Sequence, residues 1–84
     1  MPAANLIIAH PNQLIRLGLT SVFRYVKKIV RVFGEAATGE ELTRVVRNHA
    51  PDLVLMNNRL PDADSFDVMR KLFAIRPAIN IVLV

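Results

Sequence analysis

The stretch Pro51-Asp52-Leu53-Val54-Leu55-Met56-Asn57-Asn58-Arg59-Leu60-Pro61 decides how this chain is read. Its apolar residues Leu53 to Met56 run without a break between a proline-led entry and a pair of asparagines. A short run that is apolar at every position predicts a strand covered on both faces, not one with a wet side. Such strands belong to parallel sheets packed by helices. The asparagines and Pro61 then place a loop at the C-terminal end of this strand.

The same pattern recurs on either side. Leu6-Ile7-Ile8-Ala9 is a second buried-strand run, ended by His10-Pro11. Asn12 is placed to cap a helix reaching about Val26, with Ile15, Gly18, Leu19, Val22, Phe23 and Val26 on its inward stripe. Ile29-Val30-Arg31-Val32-Phe33 is β-branched and partly alternating, which predicts an edge strand, and Gly34-Glu35-Ala36-Ala37 leads out of it. Thr38-Gly39-Glu40-Glu41 has the form of a capping box. The helix it opens turns Leu42, Val45 and Val46 inward and ends before Pro51, with His49 at its negative terminus. Beyond Pro61, Asp62-Ala63-Asp64-Ser65 is a polar turn in which Asp64 or Ser65 caps a third helix. Phe66, Met69, Leu72 and Phe73 form the predicted stripe of that helix, Arg76-Pro77 closes it, and Ile79 to Val84 is a fourth strand. The order is βαβαβαβ. Alternation of this kind builds a parallel sheet with helices on both faces, so the fold class is α/β.

Eighty-four residues fit a single domain. A hydrophobic fraction of 52% is high for that length, and it implies either a dense core or apolar surface that awaits a partner. The chain has no cysteine, which excludes disulfides and leaves the redox compartment open. Met1-Pro2-Ala3-Ala4-Asn5 lacks the charged start and long apolar core of a signal peptide, and no run approaches the ~20 apolar residues of a spanning helix. A cytoplasmic location with no membrane partner is the expectation. The formal charge of +4 permits nucleic-acid contact without arguing for it. Arg24, Lys27, Lys28 and Arg31 cluster at the exit of the first helix, with Tyr25 as the one aromatic among them. A solvated helix end is the ordinary reading of that cluster, and contact with DNA phosphates the sharper one. Leu17 projects opposite the Ile15/Val22/Val26 stripe, alongside Arg24 and Lys28 on the helical wheel, which makes these three candidate partner contacts.

Three segments carry a family resemblance. They are Leu6-Ile7-Ile8-Ala9 with Leu14-Ile15-Arg16-Leu17-Gly18-Leu19, then Gly34 to Glu41, then Asp52 to Pro61 with Asp64 and Val68-Met69-Arg70-Lys71-Leu72. Together they resemble the receiver domain of bacterial response regulators, most closely the subfamily with a LuxR-type helix-turn-helix output. The resemblance covers the whole chain, residues 1–84, and about two-thirds of such a domain, from its start to its fourth strand. It implies a flavodoxin-like doubly wound sheet with strand order 2-1-3-4, lacking the fourth helix onwards. A sheet that stopped there would expose its last strand as an apolar edge.

The resemblance also places a reaction centre, and there the residues depart from the pattern. Asn57 stands where the family has its phosphoacceptor aspartate, and His10 and Pro11 stand where it has an acidic pair. An amide has no anionic oxygen to attack phosphorus. An imidazole, a pyrrolidine ring and an amide supply no charge for Mg2+, a hard ion that gives up its water reluctantly. Phosphoryl transfer depends on metal and positioned charge. The expectation is therefore a pseudo-receiver, not an enzyme, without metal or other cofactor. It would regulate transcription through a protein partner or a homodimer and meet DNA only through an output domain outside this chain. The family's switch hydroxyl and lysine would lie beyond Val84. Two alternatives stay open: a phosphotransfer protein with a different acceptor such as His10, and a fragment that assembles by strand-edge pairing or domain swapping. His10 also lies where doubly wound folds bind ligands, so a pH sensor or metal ligand stands beside a harmless occupant. Asn57 and Asn58 either contact a small ligand or tie down loop backbone.

Overall fold

In the computed structural model, which describes residues 2–84, a parallel sheet runs through the middle of the molecule. Met1, the first residue of the segment read against a signal peptide, lies outside the described residues. The strands are β1 (Ala4–Ala9), β2 (Val30–Ala36), β3 (Leu53–Met56) and, after a two-stranded hairpin of β4 (Arg59–Leu60) and β5 (Ala63–Asp64), β6 (Asn80–Leu83). The sheet order is β2-β1-β3-β6, all parallel, so the four long strands take the 2-1-3-4 arrangement expected of a doubly wound sheet. The helices are α1 (Gln13–Phe23), α2 (Gly39–His49) and α3 (Ser65–Ile75).

One face of the sheet holds most of the core. Ile7, Ala9, Val54 and Met56 meet Leu42 and Val46 of α2 and Val68 and Leu72 of α3 in one buried cluster. The caps are local. Asn12 Oδ1 accepts from the Ile15 N–H at the start of α1, Thr38 Oγ1 from Glu41 N–H at α2, and Asp64 Oδ1 from Phe66 N–H at α3. Each satisfies one of the donors that a helix start leaves free. Ala50 closes α2 with a left-handed φ of 46°, a conformation that glycine adopts more cheaply.

Several predicted details need correction. Helix α1 stops at Phe23, and Arg24–Val26 form a 3-10 turn instead of a further α turn. Its inward face is Arg16, Leu19, Thr20 and Phe23, and none of its residues is fully buried. Ile15, Val22 and Val26 lie toward solvent, Val22 at 61% exposure, because no neighbouring helix among the described residues covers that flank of α1. In α3 the buried pair is Val68 and Leu72; Phe66, 66% exposed, and Phe73 point away from the core. Phe66 and Phe73 are seven positions apart, so rotating the helix by about one residue moves both off the face together. Strand β2 runs on through Gly34, Glu35 and Ala36. Its register against β1 slips between Leu6 and Ile7, so that Phe33 is skipped. The skipped ring packs edge-on against His49, centroids 5.8 Å apart. The polar turn after Pro61 is the far half of the β4–β5 hairpin.

Candidate functional site

Parallel pairing of β1 with β3 sets Ala9 opposite Met56, so the chain leaves the sheet side by side at His10 and Asn57. His10 N–H donates to the Ala36 carbonyl at 2.9 Å, fixing this corner to the end of β2. The His10 Nδ1 accepts the Asn12 N–H at 3.0 Å, so that nitrogen carries the lone pair and the imidazole is held against the start of α1. Pro11 follows, exposed and without a polar side-chain atom.

Asn57 is bound on all sides. Its N–H donates to Ala9 C=O at 2.9 Å. Its Oδ1 accepts from Arg59 N–H at 3.0 Å and its Nδ2 donates to Val84 C=O at 3.4 Å. Asn58 N–H donates to the same Val84 carbonyl at 3.0 Å. The side chain thus closes an Asx-type turn and ties the β3 loop to the end of β6. No carboxylate takes part in this network, and among the described residues no group of three or more His, Cys, Asp or Glu comes together to hold a metal ion.

Arg16 is the residue that sequence reasoning missed. Its side chain is only 12% exposed. Nε donates to Glu35 Oε1 at 2.8 Å, and a terminal nitrogen donates to the His10 carbonyl. One guanidinium therefore joins α1, the end of β1 and strand β2. The available signal was its spacing: Arg16 is three and four residues before Leu19 and Thr20, on the same helical face.

Asp62 was read as part of a turn, and its reach is longer. Its carboxylate accepts the N–H groups of Gly39 at 2.7 Å and Glu40 at 3.0 Å. These two bonds, Gly39 first, hold its carboxyl below the ordinary carboxylate value. With Thr38 taking the Glu41 N–H, the first three donors of α2 are all satisfied. Beside this cap an open groove of about 560 Å3 runs between α2 and α3, lined by Glu40, Thr43, Arg44, Arg47, Asp62 and Lys71.

Leu17, Arg24 and Lys28 are exposed, Leu17 at 51%, and none belongs to the His10–Asn57 corner. The structure therefore separates the sequence-predicted residues into two groups: the strand-end corner and the outer surface of α1 with its exit.

Comparison with known proteins agrees with this architecture. Residues 6–84 match the family described as the response regulator receiver domain. The transcriptional regulatory protein YhcZ of Bacillus subtilis is 36% identical over 78 residues, covering 93% of this chain and 36% of that protein. The response regulator GacA of Pseudomonas aeruginosa is 30% identical over 78 residues, with the same coverage of 93% and 36%. The chain thus spans 36% of the length of each of these curated relatives. Among solved structures, a LuxR-family two-component response regulator from Aurantimonas superposes with a TM-score of 0.89 at 23% identity, over 96% of this chain and 57% of that one. The receiver domain of a NarL-type regulator from Mycobacterium tuberculosis superposes at 0.88 and 22% identity, over 99% of this chain and 66% of that one. With four parallel strands in the 2-1-3-4 arrangement and a family match over nearly its whole length, the chain belongs to the response regulator receiver domains.

Proposed function

We propose that this receiver works without phosphoryl transfer, as a pseudo-receiver in a bacterial two-component-type transcriptional regulator. One observation carries the reading: at the strand-end corner the Nδ1 of His10 and both side-chain polar atoms of Asn57 are hydrogen-bonded to backbone groups, and no carboxylate takes part in these bonds. The donors there, an imidazole nitrogen already accepting a hydrogen bond and a neutral amide oxygen already accepting another, do not fit Mg2+, which takes hard, preferably anionic oxygens. Pro11 adds no ligand. Regulation then rests on protein contacts or dimerisation, and the exposed outer surface of α1 around Leu17, with Arg24 and Lys28 at its exit, is the contact surface this reading favours. DNA is met through an output domain, as the names of the transcriptional relatives suggest. On this reading the chain is a cytoplasmic regulator and not an enzyme, which its membership of the receiver family supports. No helix among the described residues is long and apolar enough to cross a membrane.

The test is incubation with acetyl phosphate and Mg2+, read by intact mass. An unmodified protein is expected. A stoichiometric label would overturn the reading, and its chemistry would say how: an acid-labile, base-stable label points to a histidine, and its loss in His10→Gln but not in His49→Gln would assign His10 as the acceptor.

A further inference from the structure

Charge is placed unevenly along this chain. Residues 1–34 contain five of the eleven Lys and Arg and none of the seven Asp and Glu. The other residues contain six basic and all seven acidic side chains. Arg16, from the first group, is neutralised by Glu35, from the second. What remains of the second group balances, six against six, so the whole formal charge of +4 resides in Arg24, Lys27, Lys28 and Arg31.

These four cations are free of counter-charge. Ion pairs among the described residues use Arg16, Arg70 and Arg76, and none of the four. They are also gathered by the fold. The 3-10 turn places Arg24, the turn after it Lys27, and the start of the outer strand β2 Arg31. With Thr20, Phe23 and Val30 these three line a groove of about 190 Å3 between the end of α1 and β2. Lys28 and Tyr25 are exposed beside it, Tyr25 at 91%. Cations gathered without counter-charge repel one another, so a bound anion is favoured here.

We propose that this basic groove, from Arg24 to Arg31, binds the phosphate backbone of a nucleic acid without reading its bases. Arginine forks and a tyrosine hydroxyl are the groups that contact phosphate oxygens. Charge complementarity favours a polyanion: successive phosphates of one strand can meet all four cations together, and a groove of this size admits a phosphate group. No helix is presented for the major groove, so the contact carries charge and not sequence. This departs from the expectation that DNA is met only through an output domain. It shares Arg24 and Lys28 with the contact surface named above and gives those two cations a different partner, but it uses neither His10, Pro11 nor Asn57 and so stands or falls separately from the absence of phosphoryl transfer.

The experiment is fluorescence anisotropy of the 84-residue chain with a labelled duplex of random sequence, titrated from about 50 to about 200 mM salt. With four phosphates neutralised, log K should fall against log salt with a slope of about −3 to −4, roughly a hundredfold loss of affinity over that range. The combined substitution Arg24→Gln, Lys27→Gln, Lys28→Gln and Arg31→Gln should abolish binding, and Lys27→Gln alone should flatten the slope by about one. Arg44→Gln with Arg47→Gln, on α2, should leave binding unchanged. Thermal melts of each variant establish that it is folded. The proposal is overturned by no binding at the lowest salt, by full binding of the folded four-site variant, or by binding to anionic phospholipid vesicles but not to the duplex.

Discussion

The carboxylate of Asp62 lies 2.7 Å from the backbone nitrogen of Gly39, a bond that spans 23 residues of sequence. It makes the β4–β5 hairpin the N-terminal cap of α2, so the loop after Asn57 is not free to move independently of that helix. Anionic Asp62 is the form that accepts both N–H groups, which is why its pKa falls below the ordinary 3.8. A carboxyl depressed in the native state binds fewer protons there than in the unfolded chain. Its contribution to stability is therefore complete above the unfolded value and is lost as pH falls through the native one. Melting temperatures measured on acidification should show a steeper decline in this protein than in Asp62→Asn, with the two curves converging at the acid end. Parallel curves would mean that the two bonds do not form.

A side chain at position 39 meets the same junction from the other direction. A Cβ added to Gly39 would lie 2.9 Å from Val68 Cγ2 and 3.2 Å from Asp62 Oδ1. Val68 is buried and stiff at χ1, so it has little room to yield. Gly39→Ala should destabilise the protein by about 1–3 kcal/mol despite the better helix propensity of alanine. In urea denaturation, adding Val68→Ala to Gly39→Ala should cost less than Val68→Ala does alone in the parent, since the clash and the lost methyl groups share one space.

Relief at the other end of α2 should be as easy to measure. Ala50 holds a left-handed conformation without a glycine's freedom. Ala50→Gly should stabilise the chain by about 0.5–1 kcal/mol, a rare gain from removing a methyl group. Thermal unfolding checks the sign directly, and a loss would indicate that the entropy of the unfolded glycine outweighs the relieved strain.

Arg16 should be the most sensitive charged residue in the chain. Arg16→Ala removes hydrogen bonds to both Glu35 and the His10 carbonyl, and the expected cost is about 1.5–3 kcal/mol. Glu35→Gln keeps an acceptor oxygen for Nε and leaves the bond to His10 in place, so its cost should stay below about 1 kcal/mol. Equal losses from the two variants would show that the ion pair, and not the tie to His10, does the holding.

Restoring an aspartate at position 57 should not restore chemistry. Asn57→Asp loses the Nδ2 donor to Val84 C=O and places a carboxylate near that carbonyl, while His10 and Pro11 still supply no acid. Mg2+ titration followed by the NMR signals of the corner's backbone amides should find no saturable site in the single variant. Saturation in Asn57→Asp alone would mean that one carboxylate suffices at this corner.

How much of this was readable beforehand follows the range of each interaction. The strands and the Thr38 and Asp64 caps rest on patterns within four or five residues, and the sequence displays them openly, whereas the sheet order was implied by the resemblance to receiver domains. The inward faces of α1 and α3 were misjudged because a helical wheel finds an apolar arc without saying which part of it meets the sheet. In α1 the answer turned on Arg16, a charged residue that no hydrophobic pattern places inside. The Asp62 cap, the Phe33 bulge and the Asn57 tie to Val84 each join segments far apart in the chain, so no local window contains them. At the candidate corner, sequence supplied the identities of His10, Pro11 and Asn57, and only the coordinates supplied what their atoms hold.

The bulge at Phe33 guards the border of the sheet at β2. There the skipped residue twists the ladder, and charged Arg31 and Glu35 flank it. A strand arriving from another molecule finds no straight row of backbone donors and acceptors to extend, and it meets charge where it would have to bury itself. One unpaired phenylalanine thus keeps an apolar-rich sheet from becoming a template along that side.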